Sequence, residues 1–209
     1  METPSVFASH YLSPIEYYFQ RTKNETSLID IHEHFVKQSY RNRCRILSPN
    51  GIQNLTVPLI KARKRKPTKE VKISYDSDWR KMHWKSLEAA YRSSPYFEFY
   101  EDDFYPFYHN KKYDYLVDLN WELEDKIIQL LALSISSEKT TRYIENVAQE
   151  KDFRNAFSPQ KENQSITFKE YIQVFSDRNG FAPNMSIIDL LFNEGPNAIN
   201  YLKGTHYNV

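Results

Sequence analysis

The sequence predicts an α/β fold: a small mixed sheet built from an N-terminal strand-helix-strand unit and a β-hairpin, packed by helices, with a mainly helical C-terminal part. Three observations carry this expectation. Strand-like runs cluster in residues 1–77, an Asn50-Gly51 pair separates two of them, and helical apolar periodicity dominates residues 78–209. A chain of 209 residues fits a single domain, 1–209, with a strand-rich part and a mainly helical part.

Val6 to Tyr11 reads as a short strand, and Ser13-Pro14 before IEYYFQR supplies an N-cap and a proline at the first helical position. In 27-SLIDIHEH-34, Leu28, Asp30, His32 and His34 alternate with Ile29, Ile31 and Glu33, and the branched isoleucines favour a strand. Strand, helix, strand in this order suggests a right-handed parallel unit. Asn50-Gly51 lies between RCRILSP and IQNLTVPL, where a tight hairpin wants positive φ at both central positions. The basic run 61-KARKRKPTKEVK-72, broken by Pro67, reads as a loop before a strand at VKISY.

From Asp78 onward the spacing turns helical. Trp79, Met82, Leu87, Ala90 and Tyr91 form an apolar stripe over 78–94, with Asp78 as cap and Pro95 as stop. Residues 96–115 continue as an aromatic helix or turn broken near Pro106, and 116–133 carries the stripe Leu116, Leu119, Leu123, Ile127, Leu130 and Leu131. A strand is expected at TTRYIEN, 140–146, and an exposed connection over 150–165. In 181–196, Ser186 and Asp189 have capping-box spacing, and Gly195-Pro196 ends the helix.

Composition narrows the function classes. The formal charge is +1, so no global field draws the chain to nucleic acid, and the basic loop reads as solvated rather than as an RNA-binding element. The mean hydropathy of −0.71 reflects a polar surface on a chain that is 40% hydrophobic. The longest apolar run, IIQLLALSI at 127–135, is too short to span a bilayer, and the N-terminus lacks a basic region followed by an apolar stretch. With one cysteine, Cys44, no internal disulfide can form, and a cytoplasmic location is the expectation. The four glycines are too far apart for a phosphate-cradling loop.

The candidate chemistry centres on 32-HEHFVKQSYRNRC-44. Read as a strand, it sets Arg41, Arg43 and Arg45 on one face, where a carboxylate or phosphate would relieve their mutual repulsion. Read as a helix, His34, Lys37, Arg41 and Arg45 form one basic row. The competing reading pairs these cations with Asp30 and Glu33 at the surface. His32 and His34 have the spacing of a two-histidine metal site, but no third ligand follows, so packed or solvated imidazoles are favoured over metal. His83 borders the apolar stripe of its helix, as a core histidine or a general base. Cys44 points towards the core rather than serving as a nucleophile.

These stretches together resemble the WbqC-like protein family. The resemblance rests on YLSPIEYY, on HFVKQSYRNRCRI followed by NGIQNLTVPL, on HWKSLEAAYRSSPYFEFYEDDF, and on YIQVF with FAPNMSIIDLLFNEGP. The family's aromatic-Arg-Asn-Arg phrase falls on Tyr40, Arg41, Asn42 and Arg43, and its closing phrase on Met185 to Pro196, with Met185 in place of the usual leucine. The resemblance implies a role in bacterial O-antigen or surface-polysaccharide biosynthesis, with transfer of glycine or a similar group.

Two hypotheses follow. In the first, a transferase binds a phosphate- or nucleotide-activated sugar: Arg41 and Arg43 hold the anion, and Asn42, Tyr40, His34 and Lys37 surround it. His83 and Glu16 act as catalytic groups, Tyr11, Tyr17 and Tyr171 line the sugar end, and Asp189 and Asn193, four residues apart on a helix, reach the same cleft. That hypothesis expects Arg41→Ala to lose ligand with little change in stability. In the second, the same patch serves a non-catalytic sugar- or partner-binding module of a polysaccharide assembly system. The sequence names no cofactor and leaves the oligomeric state open.

Overall fold

Ser5 to Ala8 are all buried, and they form the first strand, β1 (Ser5–Ala8), of a sheet covered on both faces. In this computed structural model, which describes residues 4–24, 26–61, 65–160, 166–204 and the backbone of 206–207, β1 is followed by α1 (Ile15–Thr22) and β2 (Thr26–Asp30). β1 and β2 pair in parallel, Ser5 opposite Ser27 and Ala8 opposite Asp30. The expected strand-helix-strand unit is therefore present. A hairpin of β3 (Arg43–Ser48) and β4 (Gly51–Thr56) comes next, then α2 (Trp79–Tyr91), α3 (Phe97–His109) and α4 (Leu116–Leu130). β5 (Ser136–Lys139) adds a second parallel partner to β2, giving the order β1-β2-β5.

The C-terminal part holds β6 (Ile166–Thr167), α5 (Ser176–Asn179), α6 (Ile187–Glu194), α7 (Ala198–Gly204) and β7 (His206–Tyr207). The fold is thus mixed α/β, with a small parallel sheet, a separate antiparallel hairpin and a C-terminal helical region. α6 is buried from Ile187 to Asn193, and Phe192 meets Tyr91, Phe97 and Phe104 edge-on or tilted at 5.2, 5.2 and 5.5 Å. One apolar cluster joins the sheet, the hairpin and these helices.

Several local expectations shift. The hairpin loop is Pro49-Asn50, because Ser48 pairs with Gly51; only Gly51, at φ 94°, takes the positive backbone angle, one position later than a two-residue primed turn would require. Pro49 suits the first central position of an ordinary turn, which displaces the register. The segment 71–75 makes isolated bridges, Leu59 to Ile73 and Lys72 to Tyr115, instead of a strand. The strand expected at 140–146 lies earlier, at β5, whose residues are polar because it is an exposed edge.

Pro106 sits inside α3 without ending it. Met82 is 64% exposed, and the inward positions of α2 are Trp79, His83, Trp84, Leu87, Ala90 and Tyr91. Neither Asp78 nor Ser186 caps its helix with its side chain; Ser186 Oγ instead donates to the carbonyl of Leu12 at 2.8 Å.

Candidate functional site

The loop from Ser9 to Pro14 leaves the carboxyl end of β1, the edge of a parallel sheet where open α/β folds place their ligands. Its backbone is held from two sides: Tyr11 N–H donates to Tyr40 O at 2.9 Å, and Ile187 N–H donates to Ser13 O at 2.9 Å. Between these ties Leu12 adopts φ 45°, a left-handed conformation that is costly for a branched side chain, while remaining 1% exposed. That kink separates two polar clusters, one around Tyr11 and one around His10.

On the Tyr11 side, the phenol oxygen lies 2.9 Å from His83 Nδ1 and 2.8 Å from the Tyr108 hydroxyl, and all three side chains are buried. Burial lowers the His83 pKa to about 4, and a hydrogen bond with the Thr56 backbone opposes this in part. The ring is therefore neutral at pH 7. His83 and Trp79 of α2 line a groove against β4, with Thr56, Leu55 and Gln53 opposite; its volume is about 280 Å³. Gln53 Nε2 closes one side by donating to Ser86 Oγ at 3.1 Å. The Trp79 indole N–H has no hydrogen-bond partner among the described residues although Trp79 is only 4% exposed.

On the other side, His10 is 1% exposed and neither ring nitrogen meets a partner among the described residues. Tyr17, Tyr40 and Phe157 surround it at 5.2, 6.1 and 6.1 Å between ring centroids. Burial first, and the Arg41 charge second, hold its pKa well below the usual value. Asn120 Nδ2 donates to Arg41 O at 2.9 Å and to Ser9 Oγ at 3.3 Å, leaving its own Oδ1 buried without a partner among the described residues.

Arg41 does not lie on a strand face. β3 begins at Arg43, and Arg41 occupies the preceding turn, 1% exposed, donating through Nε and Nη2 to both oxygens of Glu33 at 2.7 Å each. Nη2 also donates to Arg154 O at 3.0 Å. Arg154 in turn donates to Asp30 Oδ2 at 2.9 Å and Asp152 Oδ2 at 2.6 Å. Of the arginines foreseen as an open anion site, Arg41 is closed off by its ion pair with Glu33, which follows the end of β2 and turns inward, while Arg43 and Arg45 make no ion pair among the described residues.

The remaining foreseen residues fall in several places. Tyr40 is buried beside His10, and Asn42 Nδ2 donates to Val57 O at 2.9 Å, a framework contact. Arg43 is half-buried, and its Nε lacks a partner among the described residues. His34 and Lys37 are exposed, His34 bridging to Pro67; no metal-binding group occurs among the described residues. Glu16 is tied to Asn184, which donates to its carboxylate at 3.1 Å. Tyr17 donates to Glu124 at 3.1 Å.

Tyr171, Asp189 and Asn193 belong to a separate buried network. Asp189 accepts from the Tyr171 hydroxyl at 2.6 Å, the Tyr91 hydroxyl at 2.8 Å and Gln173 Nε2 at 2.9 Å. Asn193 donates to the Asp189 carbonyl, not to its carboxylate. Burial raises both the Asp189 and Cys44 pKa values.

Of the foreseen residues, Tyr11 meets His83, while Tyr40, Arg41 and Asn42 diverge towards His10, Glu33 and Val57; the sequence reading missed His10, Trp79, Tyr108 and Asn120. The signal for His10 was available. It precedes Tyr11 in a short extended stretch, so the two must face opposite ways.

Residues 9–156 and 138–201 match the WbqC-like protein family. The chain belongs to that family. As a WbqC-like protein it is 28% identical to the uncharacterized protein Rv1507c of Mycobacterium tuberculosis (strain ATCC 25618 / H37Rv), an alignment that covers 81% of this chain and 84% of the relative. No solved structure matches it. Among the described residues, no helix of this WbqC-like protein is long and apolar enough to cross a membrane.

Proposed function

We propose that this protein is a group transferase of bacterial surface-polysaccharide biosynthesis, acting on a phosphate- or nucleotide-activated sugar in the groove between β4 and α2. The observation that carries this reading is His83 on the groove wall, a neutral imidazole held from behind by the buried Tyr11 phenol, which Tyr108 backs in turn. Transfer to a hydroxyl or amine needs a base that is uncharged at neutral pH and fixed in orientation. Burial meets the first need and the Tyr11 hydrogen bond the second. The unpartnered Trp79 N–H offers a donor to a sugar oxygen in the same groove. Arg43, rather than Arg41, is the arginine of the 40–43 phrase left to meet a phosphate, since Glu33 occupies Arg41. The family's expected place in O-antigen pathways, with glycine or a similar group transferred, supplies the substrate class.

One observation favours a second reading, a non-catalytic sugar-binding module. His83 is hydrogen-bonded on both sides, to Tyr11 and to the Thr56 backbone, as a structural imidazole would be. Thermal-shift measurements with nucleotide sugars, glycosyl phosphates and free nucleotides, followed by turnover assays with His83→Gln, separate the two. A ligand at 100 times its Kd raises stability by about 2.7 kcal/mol. For a transferase, one class stabilises the wild type, Arg43→Ala weakens that shift, and His83→Gln keeps binding while losing turnover. Binding without turnover in the wild type selects the module, and no shift from any class removes both.

A further inference from the structure

A second cleft, with a volume of about 160 Å³, lies between α4 and the first residues of β5. Trp121, Glu124, Asp125 and Ile128 of α4 line it on one side, Asp125 at its exposed rim, and Ile135, Ser136 and Ser137 form the other wall. It shares no residue with the groove.

Its polar wall is fixed and incompletely used. Glu124 is 5% exposed, and only its Oε1 is engaged, accepting from the Tyr17 hydroxyl at 3.1 Å and from Arg21 Nη1. Oε2 accepts no hydrogen bond among the described residues and is not one of their buried unpartnered atoms, so it is open to an incoming donor. Ser137 Oγ accepts from Arg21 Nη2, which leaves the hydroxyl proton to donate elsewhere. Arg21 is fully buried, and its Nε also lacks a partner among the described residues. A carboxylate acceptor and a hydroxyl donor thus stand in one cleft, held by the same guanidinium.

The apolar component is Trp121, partly exposed where Trp79 and Trp84 are 4% and 6% exposed. Lys139, paired with Asp118 at 3.7 Å, lies 4.8 Å from the Trp121 ring centroid and restrains the ring. An indole surface beside a paired acceptor and donor suits a molecule with an apolar face and adjacent hydroxyl groups. Each such hydroxyl both donates and accepts. The volume is little more than half that of the groove, room for one ring rather than a nucleotide.

We propose that the Trp121–Glu124 cleft is a saccharide-binding pocket that takes a single uncharged pyranose ring. The pocket stands whether or not His83 acts as a base. Saturation-transfer NMR on the full chain, with methyl glycosides of neutral hexoses and N-acetylhexosamines as probes, tests it. Nucleoside diphosphates and a free amino sugar serve as contrasting probes.

The expected result is transfer to at least one neutral glycoside, weakened tenfold or more in Trp121→Ala and retained in part in Trp121→Phe. The variants Phe99→Ala and Ile172→Ala, at exposed positions outside both the cleft and the groove, should bind it as the wild type does. Acrylamide quenching gives a second readout, since Trp121 is the most accessible tryptophan and the glycoside should shield it. Glycoside binding that survives Trp121→Ala but is lost in Trp79→Phe places the sugar in the groove and overturns the proposal. Binding of the amino sugar alone shows an ammonium site instead, and absence of binding by every neutral glycoside overturns it as well.

Discussion

Arg41 meets Glu33 through two hydrogen bonds of 2.7 Å, Nε to Oε1 and Nη2 to Oε2, with side chains 1% and 7% exposed. Burial raises the Glu33 pKa, and Arg41 opposes that shift only in part. Removing one partner strands the other charge, so Arg41→Ala should cost about 3–5 kcal/mol in urea unfolding. Arg41→Met with Glu33→Leu should recover most of the loss. A single variant within 0.5 kcal/mol of wild type would show that the pair contributes nothing, a size typical of exposed ion pairs by contrast.

The stability of the fold should depend on pH through His83. Its pKa falls from 6.5 unfolded to about 4 folded, chiefly by burial. Between these values the unfolded chain holds a proton that the native chain does not, so stability is fully present above pH 6.5 and is lost as pH drops towards 4. At roughly 1.4 kcal/mol per unit the loss is about 3 kcal/mol. Denaturant titrations from pH 7 to 4 should show a steeper decline in wild type than in His83→Gln, and parallel declines would contradict this assignment.

Asp189 draws Tyr91, Tyr171 and Gln173 onto one buried carboxylate, and burial keeps its pKa raised despite these donors. Tyr91→Phe and Tyr171→Phe should each cost about 1.5–3 kcal/mol, the range for hydrogen bonds to charged groups. Because both hydroxyls serve the same carboxylate, the double variant should depart from additivity by about 0.5 kcal/mol or more. Additive losses would mean that the two hydroxyls act independently.

Gly195 ends α6 at φ 54°, and a Cβ there would stand 2.6 Å from the Tyr96 ring. Gly195→Ala should therefore cost about 1–3 kcal/mol through backbone strain alone. Tyr96→Ala in the same chain relieves the clash but not the strain. A melting temperature that recovers fully in that double variant would assign the whole cost to the ring.

Much of the fold was legible because its signals are local. Pro14 before IEYYFQR, the apolar spacing of 116–133 and the Gly195-Pro196 stop each act within one or two turns of chain, and α1, α4 and α6 appear within a few residues of where they point. The hairpin was legible as an element but not in register, because Pro49 and Gly51 compete to set the turn. β5 was misplaced because SSEK carries no strand preference; it pairs only because β2 offers it a free edge.

Residue order and chemistry were enough for the α/β class, most of the α4 stripe, the inward Cys44 and the basic phrase Tyr40 to Arg43, but not for the α2 stripe, from which Met82 turns outward. The tertiary structure alone decided which charges remain available. Arg41 is spent on Glu33, Arg154 on Asp30 and Arg21 on Glu124, while His83 comes to Tyr11 across 72 positions and Tyr108 across 97. The physical reason is that propensity and periodicity act over a few residues, whereas the pairing of a buried charge depends on whichever distant side chain the packed core brings within hydrogen-bond reach.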